Sequence, residues 1–225
     1  MRVTGDYSKD DYVKVEGLVA PEICTALCQQ LEMDIRASGR TFQSFALAQP
    51  LTRQATVEIT GHQSRPLLAF LWGLTPIVSE LTGADLLPSF DYFRIYPKGD
   101  ICRVHSDRAS CEHSVSLTLA YSDGKPWNLQ IGTRPVEQEA PEALDEDFGD
   151  EPFASIAMQP GDAVLYRGVR RRHGRIEPNP NGWSAHLFLQ WVERGGAHMA
   201  HAFDAELLKA EWERASRMKG DRVQA

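Results

Sequence analysis

The chain has 225 residues, 42% of them hydrophobic and 24% charged, with a formal net charge of −7. This is the composition of one soluble globular domain whose core is large enough to need no disulfides, and the acidic balance excludes a global pull toward nucleic acid. The first residues hold no apolar core of signal-peptide length, and the longest apolar run, 66–78, is too short to span a membrane and contains Pro76. The expectation is a cytoplasmic protein whose cysteines, Cys24, Cys28, Cys102 and Cys111, are reduced thiols.

In chain order, YVKVEGLVA (12–20) reads as a short strand and turn. A helix follows. Pro21 suits its first turn, Ile23, Leu27, Leu31 and Ile35 recur every four residues, and Gly39 terminates it. Cys24 and Cys28 lie on this helix and read as core. Residues 65–83 read as a second helical region, interrupted near Pro76. About 20–83 is thus a helical N-terminal part.

From Leu87 to about residue 195 the sequence becomes a series of short β-type runs, rich in β-branched and aromatic residues and ended by Gly, Pro, Asp or Asn. Many short strands with turn signals predict a sandwich or barrel. The acidic, proline-bearing segment 134–153 reads as a solvated, mobile loop, with a lid over a barrel mouth as the functional alternative. Residues 203–218 read as an exposed amphipathic helix. There is no internal repeat, and one domain spans 1–225.

The dense stretch RVHSDRASCEHS (103–114) carries the chemistry. If residues 101–107 are extended, Ile101, Arg103, His105 and Asp107 share one face, so His105 and Asp107 reach one ion together. His173, 66 residues beyond Asp107 and following the turn-strand-turn PGDAVLYRG, is the best third ligand. Two histidines and one carboxylate leave the opposite positions of a metal open, the facial triad of non-haem Fe(II) oxygenases. Zinc suits the same ligands. A rival set, Cys102, His105, Cys111 and His113, would make a closed zinc site in a non-catalytic binding module, but it lacks paired short spacings and leaves Asp107 without a role. Cys111 then reads as a small buried hydrophobe, and His113 as a hydrogen-bonded strand residue. His186, alternating with Leu187 and Leu189, reads as a packed, satisfied strand histidine. His62, His198 and His201 carry no signal. The basic run YRGVRRRHGR (166–175) reads, His173 apart, as a solvated turn.

YFRIYPKGDICRVHSDR (92–108), MQPGDAVLYRGVRRRHGRIEP (158–178) and NGWSAHLFLQWV (181–192) together resemble the Fe(II)- and 2-oxoglutarate-dependent oxygenases, in a little-characterised bacterial branch. The opening YVKVEGLVAPEICTAL resembles the entry strand and helix of prolyl-hydroxylase-like members. The resemblance covers most of residues 10–195. It implies a mainly β fold with flanking helices, a double-stranded β-helix (a cupin-like jelly roll). It also implies His105, Asp107 and His173 as iron ligands, and Fe(II) and 2-oxoglutarate as cofactors. The implied reaction is hydroxylation of an unactivated C–H bond; a small molecule and an amino-acid or protein side chain both remain open as substrate. No basic, aromatic-rich groove and no membrane-length apolar run is evident, so neither a nucleic-acid nor a membrane partner is expected.

One departure stands out. The basic residue that often follows the distal histidine by about ten positions in that superfamily is absent, since 183–186 are Trp, Ser, Ala and His. A dicarboxylate buried in a barrel needs a cation, ideally a planar bidentate one. Arg175, two residues past His173, is the first choice. Arg94 is the second, on a strand where Tyr92, Arg94 and Tyr96 share a cavity-lining face; Arg103 is a third. Trp183 in place of a basic residue also keeps open a cupin-like dioxygenase or isomerase that works without 2-oxoglutarate.

Overall fold

The computed structural model describes residues 1–136, 144–205 and 209. The elements, in order, are β1 (Arg2–Thr4), a single turn α1 (Tyr7–Asp10), β2 (Tyr12–Glu16), α2 (Pro21–Ala37), β3 (Ala46–Leu47), β4 (Thr56–Thr60), α3 (Arg65–Thr82), β5 (Leu86–Pro97), β6 (Cys102–His105), β7 (His113–Tyr121), β8 (Leu129–Pro135), β9 (Phe153–Ile156), β10 (Ala163–Tyr166), β11 (Arg171–Arg175) and β12 (Trp183–Glu193). They form two antiparallel sheets. The larger runs β1-β2-β10-β7-β12-β5-β4-β3 and the smaller β6-β11-β8-β9. This is the expected mainly β jelly roll with flanking helices.

The period of two along the large sheet creates two different faces. Val115, Leu117 and Leu119 on β7, Leu187, Leu189 and Trp191 on β12, and Phe93 on β5 pack beneath Leu27 and Leu31 of α2 and Leu67 and Leu71 of α3. The opposite face turns inward to the small sheet. There Val164 and Tyr166 of β10 pack on Leu129 and Ile131 of β8, and Tyr96 and Phe188 pack with Cys102 and Trp127. Each fully buried leucine of the outer layer contributes about 1.5–3 kcal/mol, and truncating Leu31 to Ala would cost about 2–5 kcal/mol. The turn into β10 depends on Gly161. Its φ is +92°, and a Cβ there would lie 2.2 Å from the carbonyl oxygen of Val19, just before α2.

Several expectations need correction. Ile23 is half exposed and Cys24 takes its place on the buried stripe with Leu27, Leu31 and Ile35. Helix α3 runs unbroken through Pro76. The N–H that proline lacks would have served the carbonyl of Trp72, whose side chain is 56% exposed, so that turn of the helix faces solvent. The N-terminal part is not only helical, because β4 lies inside it and pairs with β5. Phe203 and Asp204 have left-handed φ of 60° and 52° after a 3₁₀ turn over Met199–Asp204, so no helix begins at 203. The rest of the helix expected at 203–218 lies outside the described residues except for Ala205 and Lys209.

Nor is the described part of the acidic segment loose. Asp145 exchanges backbone hydrogen bonds with Val104 at 2.8 and 3.0 Å, Phe148 is buried against Phe153, and Glu151 is buried beside Arg172. Residues 137–143 of the segment lie outside the described residues. Most of the basic run is likewise tied down, although Arg170 is exposed. Arg167 and Arg171 pair with Asp11, and Arg172 pairs with Asp145 and Glu151. Among the described residues no helix is long and apolar enough to cross a membrane.

Candidate metal centre

His105 ends β6, and His173 lies on β11 directly opposite it in the register of the small sheet. Asp107 does not continue the strand. It sits in the turn before a 3₁₀ segment (Ala109–Cys111), and its N–H donates to the carbonyl of Gly168 at 2.9 Å. The simple alternation expected for 101–107 therefore stops at His105, yet the turn still brings Asp107 to the histidines. Arg103 is not part of the site. It is committed to Glu146 at 2.7 Å and to the carbonyls of Pro50 and Thr52.

The three side chains converge. Nε2 of His105 lies 3.5 Å and Nε2 of His173 lies 3.6 Å from Oδ1 of Asp107, and the imidazole centroids are 4.3 Å apart. Both distances are too long for a good hydrogen bond. The other ring nitrogens explain the arrangement. Nδ1 of His105 is 2.8 Å from the carbonyl oxygen of Arg103, and Nδ1 of His173 is 3.0 Å from that of Arg171. A carbonyl can only accept, so each Nδ1 carries the proton. Burial pushes the His173 imidazole down to about 4, so it is neutral near pH 7 and its Nε2 presents a lone pair. Burial opposes ionisation of Asp107, but the positive charge that the facing imidazoles carry at acid pH, His173 foremost, and the Ser114 hydroxyl hold its carboxyl below the usual range. The His173 lone pair, Nε2 of His105 and a carboxylate oxygen thus face one point. Such a donor set fits a divalent cation, and the carbonyl anchors are the outer-shell bonds that orient metal-binding histidines.

The remaining oxygen of Asp107 is also fixed. Ser114 donates to Oδ2 at 2.9 Å and lies against the side-chain amide of Gln190. Above His105 and Asp107 opens a cleft of about 330 Å³, lined among others by Glu58, Tyr92, Arg94, Arg108, Leu144 and Gln190. A larger, apolar groove of about 600 Å³ between α2 and the outer face of the large sheet holds none of these groups.

The rival zinc set does not assemble. Among the described residues, neither Cys102 nor Cys111 belongs to a cluster able to hold a metal. Cys102 packs with Tyr96, Trp127 and Phe188. His113 is clustered with Glu112 and Glu193, but both its nitrogens are taken, by the Tyr7 hydroxyl at 2.8 Å and by Glu193 at 3.1 Å.

The candidate arginines separate clearly. Arg94 is buried but already paired, with Nη2 2.6 Å from Glu58 and Nη1 donating to the Tyr96 hydroxyl at 3.1 Å. Arg175 is 1% exposed and has no carboxylate partner among the described residues. It donates to the carbonyl of Trp127, stacks 4.9 Å over that indole, and lies 3.3 Å from Nδ1 of His186. With Nδ1 accepting, the His186 proton sits on Nε2, and that buried atom has no partner. His186 is therefore not the satisfied strand histidine expected from its sequence. Burial and the neighbouring Arg175 and Arg94 keep it neutral. An unpaired guanidinium beside an unused N–H, both deep between the sheets, is costly unless an anion joins them. That pairing fits the carboxylate of a dicarboxylic acid.

Sequence reasoning missed Trp127, Ser114, Gln190 and Gly168. Ser114 and Gln190 had a signal. Ser114, Ser116 and Thr118 alternate with buried aliphatics, which marks a polar interior face, and Gln190 continues the face of His186 and Phe188.

No family model matches the chain, and no curated protein matches it in sequence. Solved structures do match in fold. The 2-oxoglutarate-dependent (alpha ketoglutarate) carbocyclase SnoK of nogalamycin biosynthesis superimposes with a TM-score of 0.64 at 13% identity, covering 87% of this chain and 86% of its own. A Pseudomonas putida prolyl-4-hydroxylase gives 0.58 at 15% identity, covering 84% and 96%. The epimerase SnoN, in complex with Fe3+, alpha ketoglutarate and nogalamycin RO, gives 0.63 at 11% identity, covering 83% and 80%. The fold of this chain is that of these proteins, a double-stranded β-helix.

Proposed function

We propose that this chain is a non-haem Fe(II)- and 2-oxoglutarate-dependent oxygenase that hydroxylates an unactivated C–H bond. The observation that carries the reading is the convergence of His105, Asp107 and His173, each held by a second bond that leaves its metal-facing atom free. Its support from outside the chain is the shared fold with proteins whose names specify alpha ketoglutarate dependence or hydroxylation.

In this reading His105, Asp107 and His173 hold Fe(II) from one side and leave the cleft side open. Arg175 and the Nε2–H of His186 take the distal carboxylate of 2-oxoglutarate from β11 and β12, in place of the missing basic residue near 183. When bound, iron and 2-oxoglutarate supply the oxidant: dioxygen gives one atom to succinate as carbon dioxide leaves, and the other to the substrate. The chain's own part is to hold the ligands, exclude water and place one C–H bond in the cleft. Tyr92 and Arg94 wall that cleft, and Tyr96 supports Arg94 from beneath. The substrate is a small molecule or an amino-acid or protein side chain, and nucleic acid is not a partner. A cytoplasmic setting suits the four free thiols.

Anaerobic titration with Fe(II) and then 2-oxoglutarate tests this directly. A weak visible charge-transfer band should appear, and an Asp107→Ala variant should lack it. Fe(II) binding without a band would turn the reading to a cupin-like enzyme without 2-oxoglutarate.

A further inference from the structure

We propose that Arg108 recognises the substrate, taking the carboxylate of a small molecule whose apolar part packs beside Leu51 and Leu144. The inference rests on the oxygenase reading and names the substrate class for that same cleft.

Arg108 immediately follows Asp107 and lines the cleft above it. Its guanidinium lies 4.5 Å over the Phe90 ring. Phe90 stacks on Tyr92 at 5.8 Å, and Tyr92 stacks on Phe188 at 4.7 Å. An aromatic ladder therefore runs from the exposed mouth to the interior, past the three converging residues. Stacking holds the guanidinium plane flat; one of its N–H groups bonds the Cys111 thiol, and the remaining donors can serve a carboxylate.

The charge balance selects the partner. Arg94 is paired with Glu58, Arg103 shares Glu146 with Arg53, and Arg172 is paired with Asp145 and Glu151. Arg108 makes no ion pair with any described residue. Of the two described carboxylates that line the cleft, Glu58 is held by Arg94 and Asp107 faces the histidines. Among the described residues the unbalanced charge at the mouth is thus one positive guanidinium, which shares the cleft lining with the apolar side chains of Leu51 and Leu144. A carboxylate on a hydrophobic body matches that surface, and an ammonium group is repelled by it.

The test uses three probes of one shape: 2-naphthoate, 2-naphthamide and 2-naphthylmethylammonium. Each is titrated calorimetrically and without oxygen into the protein given Fe(II) and 2-oxoglutarate, with the visible band monitored to show that 2-oxoglutarate is retained. Naphthoate should bind about tenfold tighter than the amide, with the ammonium weakest. Arg108→Gln should abolish the difference and keep the band, and Arg108→Lys should keep only part of it. Equal binding of acid and amide, preference for the ammonium, no binding of naphthoate, or a carboxylate preference that survives Arg108→Gln each overturns the inference. Absence of the band in the unmodified protein strikes the oxygenase reading instead, and the probe preference is then read on the protein as it stands.

Discussion

Gly168 and Asp107 are packed so closely that a Cβ at 168 would lie 2.1 Å from the carboxylate Oδ2 and 2.7 Å from the Ser114 hydroxyl. The backbone joins them as well, through the bond from Asp107 N–H to Gly168 carbonyl. Gly168→Ala should push the carboxylate away from the two imidazoles. Divalent-metal affinity should fall about 10–100-fold, the scale of lost outer-shell support, while folding survives with a loss of about 1–3 kcal/mol. Metal titration beside a thermal melt reads both. Wild-type metal affinity in this variant would remove Asp107 from the ligand set.

Arg175 and Arg94 should respond in opposite ways to the same change. Arg175→Gln removes a buried cation that no carboxylate balances, so the fold should hold or gain stability while 2-oxoglutarate affinity drops at least about tenfold. Arg94→Gln strands Glu58 beside the cleft and should cost about 1–3 kcal/mol, with a weaker effect on 2-oxoglutarate. The two affinities, measured through the charge-transfer band, decide between them. A larger loss at Arg94 would move the carboxylate site to β5.

His105 and Arg175 could be singled out because strand periodicity ties sequence spacing to a face, and His173 because it follows the turn-strand-turn run PGDAVLYRG. Asp107 was legible only by coincidence of outcome, since it reaches the site from a turn and not from a strand. What escaped was set by contacts across the chain. Nothing near residue 168 announces that its missing side chain makes room for Asp107. The open donor of His186 could not be foreseen either, because local pattern shows which way a histidine faces and not whether it finds an acceptor. The strand TVEIT at 56–60 was missed for a plainer reason: its alternation of Val57 and Ile59 was present but lay between two strong helical patterns.

Cys111 provides a check on the metal assignment. It lines the cleft and stands four residues from Asp107, but burial pushes its thiol well above the usual range and Asp107 adds to the effect. It should resist thiol reagents in the native state at pH 8. Cys111→Ala should keep full metal stoichiometry at a cost of about 1–3 kcal/mol. Loss of one metal equivalent in this variant would revive a cysteine-bearing zinc site.

Asp91 should make stability depend on pH. It is 2% exposed, its Oδ2 has no partner, and Gly61 presses on it, with a Cβ there only 2.0 Å from Oδ1. Burial pushes its carboxyl up to about 7, and Asp204 adds to the rise. An unfolded aspartate titrates near 3.9. Below about pH 4 both states are protonated and the group is neutral toward folding. Between about pH 4 and 7 the folded state keeps a proton that the unfolded state has lost, so stability falls as pH rises. Above about 7 both states are ionised and the penalty is complete. Asp91→Asn, which cannot ionise, should melt close to wild type near pH 4 and be more stable by about 1–3 kcal/mol at pH 8. In a chain of this length that is a Tm difference of about 2–12 °C. Melting curves of the two proteins from pH 4 to 8 should therefore diverge, and a constant offset across that range would show that Asp91 ionises normally in the fold.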